Sequence, residues 1–465
     1  MLRLAHRLTA LGLLALTLSL AAPVSSTAQE FATPLAQLDL QDGDTVVFLG
    51  DSITHQCLYT QYVEDYYFTR FPQRKVRFHN AGVGGARARD ALDRFERDVA
   101  AYKPKYVTVL LGMNDGSYQP YDDPTFRTYK ADMTELIGKI RAIGAVPVLM
   151  TPTMYDSRAA RLRGGNTAAN PARLELYNAT LAYFGAWLRE YAVENGCGFV
   201  DMYGPLNHVT LLQRKSDPRF TLIKDAVHPD APGQVVMAFA LLEDLASPRL
   251  VSNLRVMMTT ESEPQIVATG GSAAQAKILP GGGIEFQWTA DSLPWVLPED
   301  AALGFKLLRA GHRLSREALE VHGLPTGRYE LTIDGQSVGI FPTERLETHI
   351  ELQENTKTPQ YQQAFQVAAL NKQRNDTAIR PLRNEWSRMQ QYYRLNRQAA
   401  SDANNTEFLK KRDDQARVVE GLDDRIAALE KAAAELEAQI RAAAQPKTRV
   451  YRLTPVASSQ PQDKS

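Results

Sequence analysis

The chain has little cysteine: two in 465 residues, Cys57 and Cys197. One pair cannot staple a chain of this size, so a disulfide-framework protein is excluded. No His or Cys cluster has the spacing of a zinc site either. An excess of one charge is also lacking. Lys and Arg number 53 and Asp and Glu 53, without the basic stripe that a nucleic-acid binder needs to neutralise phosphates. After the first 28 residues no apolar run reaches the roughly 18 residues expected of a membrane span.

What is there begins with a leader. Arg3, His6 and Arg7 precede a nearly unbroken apolar stretch from Leu8 to Ala22, and Ser26-Thr27-Ala28 offers small residues for cleavage. The layout predicts a signal peptide over 1–28, a periplasmic or extracellular location, and no membrane span in the cleaved chain; an uncleaved anchor is the alternative. The remaining length exceeds one ordinary core and implies two or three domains.

Between residues 40 and 247, short apolar runs at 45–49, 75–79, 106–111, 145–150 and 198–200 alternate with helical stretches near 58–70, 88–101, 124–142 and 171–194. A last helix follows Pro229 and Pro232. This alternation predicts an α/β domain, a doubly wound, flavodoxin-like parallel sheet with both faces covered. The pattern changes after Pro248. Residues 251–356 alternate polar and apolar side chains and carry turn signals such as Asp334-Gly335, predicting a small antiparallel β domain.

Residues 357–446 are helical in pattern. Apolar positions including Phe365, Ile379, Leu382, Trp386 and Met389 step by three and four, as do Leu422, Ile426, Leu429 and Ile440. A mean spacing near 3.5 makes a coiled-coil seam. Two arms joined by the polar stretch 396–406 predict an antiparallel hairpin roughly 55 Å long, kinked or restarted at Pro381. Residues 448–456 again alternate like a strand. The hairpin is therefore expected as an insertion in a β domain made of 251–356 and 447–457. Such an arm could pair two copies of the chain, bind a protein partner, or lie along its own α/β domain.

Four local motifs carry chemistry. Gly50-Asp51-Ser52 ends the first strand, at the carboxyl edge where α/β sheets bind ligands; a helix-capping serine is the bland alternative. His79-Asn80-Ala81-Gly82-Val83-Gly84-Gly85 closes the second strand in a Gly-rich loop able to aim amides at an anion. Gly112-Met113-Asn114-Asp115 ends the third. Asp225-Ala226-Val227-His228 places a carboxylate and an imidazole three residues apart, ahead of the last helix. This is not the G-x-S-x-G elbow of α/β-hydrolases.

With these motifs in this order, residues 40–247 resemble the SGNH (GDSL-like) hydrolase superfamily, named for its Ser, Gly, Asn and His. The resemblance implies Ser52 as nucleophile, His228 as general base and Asp225 as the residue that orients it. It further implies an oxyanion hole of the Ser52 and Gly85 N–H groups with the Asn114 side chain, and neither cofactor nor metal. His55, Tyr59, Tyr118 and Tyr121 lie near the motifs and are candidate substrate contacts, Asn80 a tie within its loop, and Asp201 a cap for the turn after it. The expected activity is that of an exported serine esterase removing acetyl or short acyl groups from carbohydrate. A lipase, thioesterase or peptidoglycan O-acylesterase on the same residues is the alternative, and a binding or scaffold protein built on the hairpin is a third reading.

Overall fold

The computed structural model describes residues 32–163, 171–259 and 263–457, so the expected leader lies outside the described residues. Strands β1 (Thr45–Gly50), β2 (Arg77–Gly82), β3 (Tyr106–Leu110), β4 (Val146–Met150) and β5 (Gly198–Val200) form one parallel sheet. Its order is β2-β1-β3-β4-β5, the flavodoxin-like winding. Every residue of β1 and β3 is buried. Helices cover both faces of a central parallel strand, which is why these segments are continuously apolar rather than alternating. Val46 and Phe48 face a core completed by the Leu58–Arg70 and Ala231–Asp244 helices. Val47 and Leu49 face the opposite core, with Phe95 from Ala88–Asp98 and Met133, Leu136 and Ile137 from Asp123–Ala142.

Two details differ from the sequence expectation. The second strand runs on through Asn80 to Gly82, because those residues pair in register with Phe48, Leu49 and Gly50 of β1. A helix at Tyr203–Arg214 was not foreseen. Asp201 accepts the Gly204 N–H at 2.9 Å at its start.

The remaining strands are β6 (Leu250–Met257), β7 (Gln265–Thr269), β8 (Gly271–Leu279), β9 (Gly283–Ala290), β10 (Arg316–His322), β11 (Arg328–Ile333), β12 (Gln336–Pro342), β13 (Ile350–Glu351) and β14 (Arg449–Pro455). They make two sheets, β13-β10-β6-β7 and β12-β11-β14-β9-β8, around a shared core that includes Val256, Phe286, Trp288 and Leu331. Pairing is antiparallel except between β6 and β10, which run parallel. Asp334 and Gly335, both with positive φ, turn β11 into β12. After the helical hairpin the chain returns as β14, which inserts between β11 and β9. The β9–β10 connection carries short helices at Ala302–Leu308 and Ala310–Leu314, and Trp295 within it donates its Nε1–H to the Tyr62 carbonyl at 3.0 Å.

The first arm is Pro359–Arg374, a π turn at Asn375–Ile379, and Arg380–Ser401; the second is Thr406–Val418 and Leu422–Ala443. The π turn lies just before Pro381, whose missing N–H removes a rung of the helical ladder. The arm lies along the α/β domain of its own chain. Leu382, Trp386, Met389, Leu422 and Ile426 join the core that holds Val47, Phe95 and Val107, so this part of the seam is spent within the chain. Buried polar pairs lock the contact. Arg374 reaches Glu64 at 3.1 Å, Asn371 reaches Asp65 at 2.9 Å, and Arg383 grips both oxygens of Asp98 at 2.8 and 2.5 Å. Burial disfavours charge on Asp98, yet the Arg383 and Arg94 guanidinium groups and the His79 hydrogen bond hold its carboxyl well below the usual range.

Candidate active site

Ser52 opens a single helical turn, Ser52–His55, directly after β1, and Asp51 caps that turn by accepting the Ile53 N–H at 2.9 Å. The turn is wedged against the end of β2. A Cβ on Gly82 would come within 2.4 Å of the His55 nitrogen and 2.5 Å of the Thr54 carbonyl carbon, so only glycine permits this approach. From the far end of the sequence, His228 presents Nε2 to Ser52 Oγ at 2.8 Å. Its Nδ1 lies 2.7 Å from Asp225 Oδ2. The second oxygen, Asp225 Oδ1, accepts the backbone N–H groups of Val227 at 2.9 Å and His228 at 2.7 Å. Partial burial works to raise the Asp225 pKa, but the His228 and Val227 hydrogen bonds outweigh it and hold the group below the ordinary carboxylate value. A carboxylate only accepts, so the imidazole proton sits on Nδ1 and Nε2 keeps a lone pair toward the Ser52 hydroxyl. That arrangement can take a proton from serine during attack on a carbonyl.

The loop after β2 has a simple amide inventory. The N–H of Gly82 goes to Asn80 Oδ1, that of Val83 to Gly50 O, and that of Gly84 to His55 Nδ1. Ala86, Arg87 and Ala88 donate to Val83 O, Asp90 and Asp115. Among the described residues no acceptor meets the N–H of Gly85, which sits at φ +66 with open space around its α-carbon. The Ser52 N–H, at the first position of its helical turn, also lies outside the helical ladder. Asn114 Nδ2 donates to Ala86 O at 3.1 Å and approaches Asp51 Oδ2 at 3.5 Å, which ties the ends of β1, β2 and β3 together. Asn80 binds the same region from below through Thr54 O at 2.8 Å and Thr60 Oγ1 at 3.1 Å.

Gly85, Asn114 and Tyr118 line a cavity of about 780 Å³, whose other walls include Arg87, Asp115, Thr125, Arg394, Arg397 and Gln398. Of the four candidate substrate contacts only Tyr118 is on this wall, its hydroxyl 3.4 Å from Asn114 Oδ1. Tyr59 and His55 need correction, and Tyr121 is not on this wall. Tyr59 is fully buried and its hydroxyl is paired with Thr54 at 2.9 Å, because the Leu58–Arg70 helix is enclosed on every side. Tyr121 lies off the cavity wall, packed edge-on against Tyr183 with ring centroids 4.7 Å apart. His55 spends both ring nitrogens internally, accepting from Gly84 N at 3.2 Å and donating to Asn384 Oδ1 at 3.0 Å. Burial and the nearby Arg383 push its pKa down to about 4, so it is neutral near pH 7.

Asp51 and Asp115 flank the site and are both buried, and burial lifts each carboxyl to about 7. Cys57 and Cys197 are separate buried thiols. The residues that sequence reasoning missed come from the arm: Arg383, Asn384, Gln390 and Arg394 all reach the Ser52 turn or the Gly-rich loop. The available signal was a polar stripe. Arg383, Gln390 and Arg394 are spaced by seven and four, and so share one helix face beside the apolar seam.

The GDSL-like lipase/acylhydrolase family model matches residues 48–236. An acetylxylan esterase from Geobacillus stearothermophilus is 27% identical over 231 residues, 45% of this chain and 96% of that protein. An uncharacterized lipoprotein of Bacillus subtilis is 35% identical over 74 residues, 16% of this chain and 30% of its own. Among solved structures, a gut microbial diltiazem-metabolizing enzyme is similar over 91% of this chain and all of its own, with 25% identity and a TM-score of 0.75. Residues 48–236 are a GDSL-like lipase/acylhydrolase domain of the SGNH type, and the chain is a carboxylic ester hydrolase.

Proposed function

We propose that the chain cleaves short acyl esters, acetyl above all, from carbohydrate through an acyl-enzyme on Ser52. The observation that carries this is the unbroken hydrogen-bond chain from Ser52 Oγ through His228 to Asp225, at 2.8 and 2.7 Å. Ser52 attacks the acyl carbon as His228 Nε2 takes its proton, and His228 returns that proton to the departing alcohol. Water then attacks the acyl-serine with His228 again as base, releasing the acid and restoring the hydroxyl. The N–H groups of Ser52 and Gly85 receive the tetrahedral oxygen, and the Asn114 amide joins them by giving up its long 3.5 Å approach to Asp51; each such donor contributes on the order of 10²–10³ in turnover.

The substrate assignment draws on the cavity's polar wall, which suits a polyhydroxylated alcohol, with Tyr118 offering a ring face, and on the likeness to an acetylxylan esterase. A second reading has its own support. The likeness that extends through the β sheets and the arm is to a diltiazem-metabolizing enzyme, which favours an ester on a small non-carbohydrate molecule. The proposal also takes in export through residues 1–28 and the division into a hydrolase unit (40–247), a β unit (251–356 with 447–457) and the inserted hairpin (357–446). Acetate release from acetylated xylo-oligosaccharides, compared with turnover of p-nitrophenyl acetate and octanoate by the parent and Ser52→Ala proteins, tests it. Release that requires Ser52 and falls with acyl length is expected. Preference for the octanoate, or equal rates with Ser52→Ala, would reject it.

A further inference from the structure

We infer that the arm helix Arg380–Ser401 sets the direction of the Gly85 N–H, with Gln390 and Arg394 as positioning residues for the oxyanion hole; this rests on the role proposed for Gly85 above. In a trans peptide the C=O of one residue and the N–H of the next point in opposite directions from one rigid plane. The carbonyl of Gly84 and the N–H of Gly85 belong to one such unit. Gln390 Nε2 donates to Gly84 O at 3.1 Å, so the arm holds one end of the plane whose other end is the unpartnered N–H.

The neighbouring planes are held from the same helix. Arg394 donates to Gly85 O at 2.6 Å while its guanidinium is anchored on Asp90 at 3.0 and 2.6 Å. Arg383 donates to Gly82 O at 2.9 Å. Asn384 receives the His55 Nε2–H, which leaves His55 Nδ1 to accept the Gly84 N–H. Gly84 and Gly85 have no side chains to pack and open space at both α-carbons. Without outside contacts their peptide planes would rotate readily.

Gln390 is the most telling of these. It is buried, and its Oε1 has no partner among the described residues. An amide buried with its carbonyl oxygen unpaired lowers stability relative to a leucine of similar size. Its one bond is the bond to Gly84 O. Stability therefore does not account for a glutamine here, whereas orientation of the loop does.

The test is Gln390→Leu in the full chain, with Arg394→Met and Arg394→Lys beside it. Each is measured for kcat and KM on p-nitrophenyl acetate, for inhibition by a trifluoromethyl ketone, and for melting temperature. A misaimed donor should cost less than a deleted one, so kcat for Gln390→Leu is expected to fall by about tenfold or more. KM should stay within about twofold, and the inhibition constant should weaken by the same factor as kcat/KM. The melting point should hold or rise. Arg394→Lys, which retains a donor, should keep more turnover than Arg394→Met. Gln390→Leu with kcat within about twofold of the parent, or a loss only in KM, overturns the inference. A parent protein with no Ser52-dependent turnover would overturn the reading beneath it as well, which keeps the two failures distinguishable.

Discussion

Asp225→Asn is the substitution whose consequence follows most directly from the site geometry. Asp225 Oδ1 accepts two backbone N–H groups, and Oδ2 accepts the His228 Nδ1–H. Asparagine has one accepting oxygen. The two backbone donors retain it, since an amide NH2 cannot accept from them. The NH2 then faces Nδ1, which must offer a lone pair, and the imidazole proton moves to Nε2, opposite Ser52 Oγ. A protonated Nε2 cannot take the serine proton. Where this wrong tautomer has been enforced in a serine triad the loss is about 10⁴ in kcat, equivalent to roughly 5.5 kcal/mol of barrier. The replacement is isosteric and the side chain is partly exposed, so the fold should persist. Steady-state kinetics on p-nitrophenyl acetate with a parallel thermal melt measures both. An Asp225→Asn protein that melts like the parent and retains kcat within about tenfold would refute the reasoning, because Asp225 would then not govern the tautomer.

Other consequences follow from burial and packing. Glu317 is buried, with Oε2 unpartnered among the described residues, and burial lifts its carboxyl to about 7. A raised carboxyl favours the folded state at low pH and loses that advantage as pH rises through about 7. Glu317→Gln should therefore gain in melting temperature over the parent between pH about 5 and 8, and a constant difference would contradict the assignment. Trp386 is buried where the arm meets the sheet, beneath the Arg383 and Arg97 guanidinium groups at 5.6 and 5.7 Å. Trp386→Ala should cost roughly 3–5 kcal/mol in chemical denaturation; a loss within about 0.5 kcal/mol would mean that the arm is not docked. Burial pushes the Cys57 thiol up to about 12, so Cys57 should resist a water-soluble disulfide reagent until the protein unfolds, and rapid labelling of the native protein would exclude the buried placement.

The hydrolase sheet was legible because its signals are local. A continuous apolar strand covered on both faces looks the same in sequence wherever it occurs, and Gly50-Asp51-Ser52 and Asp225-Ala226-Val227-His228 each carry a motif within a few residues. Ser52 and His228 are 176 positions apart, yet each could be singled out alone. The Leu58–Arg70 helix shows the limit. It has no polar face to read, because Glu64 and Asp65 are buried against Arg374 and Asn371 of the arm, and the same enclosure removed Tyr59 from the surface. The reach of Gln390 to Gly84 spans 306 positions and leaves no local trace beyond a polar residue beside an apolar seam. The parallel β6–β10 pair was equally hidden, since strand alternation gives the face of a residue and not the direction of its neighbour.

Ser52 becomes nucleophilic through His228. Reaction with a fluorophosphonate probe, mapped by peptide mass spectrometry, tests it without knowledge of the substrate. Modification at Ser52 in the parent protein and its loss in a folded His228→Ala variant are expected. Modification at another residue, or undiminished labelling of Ser52 without His228, would contradict it.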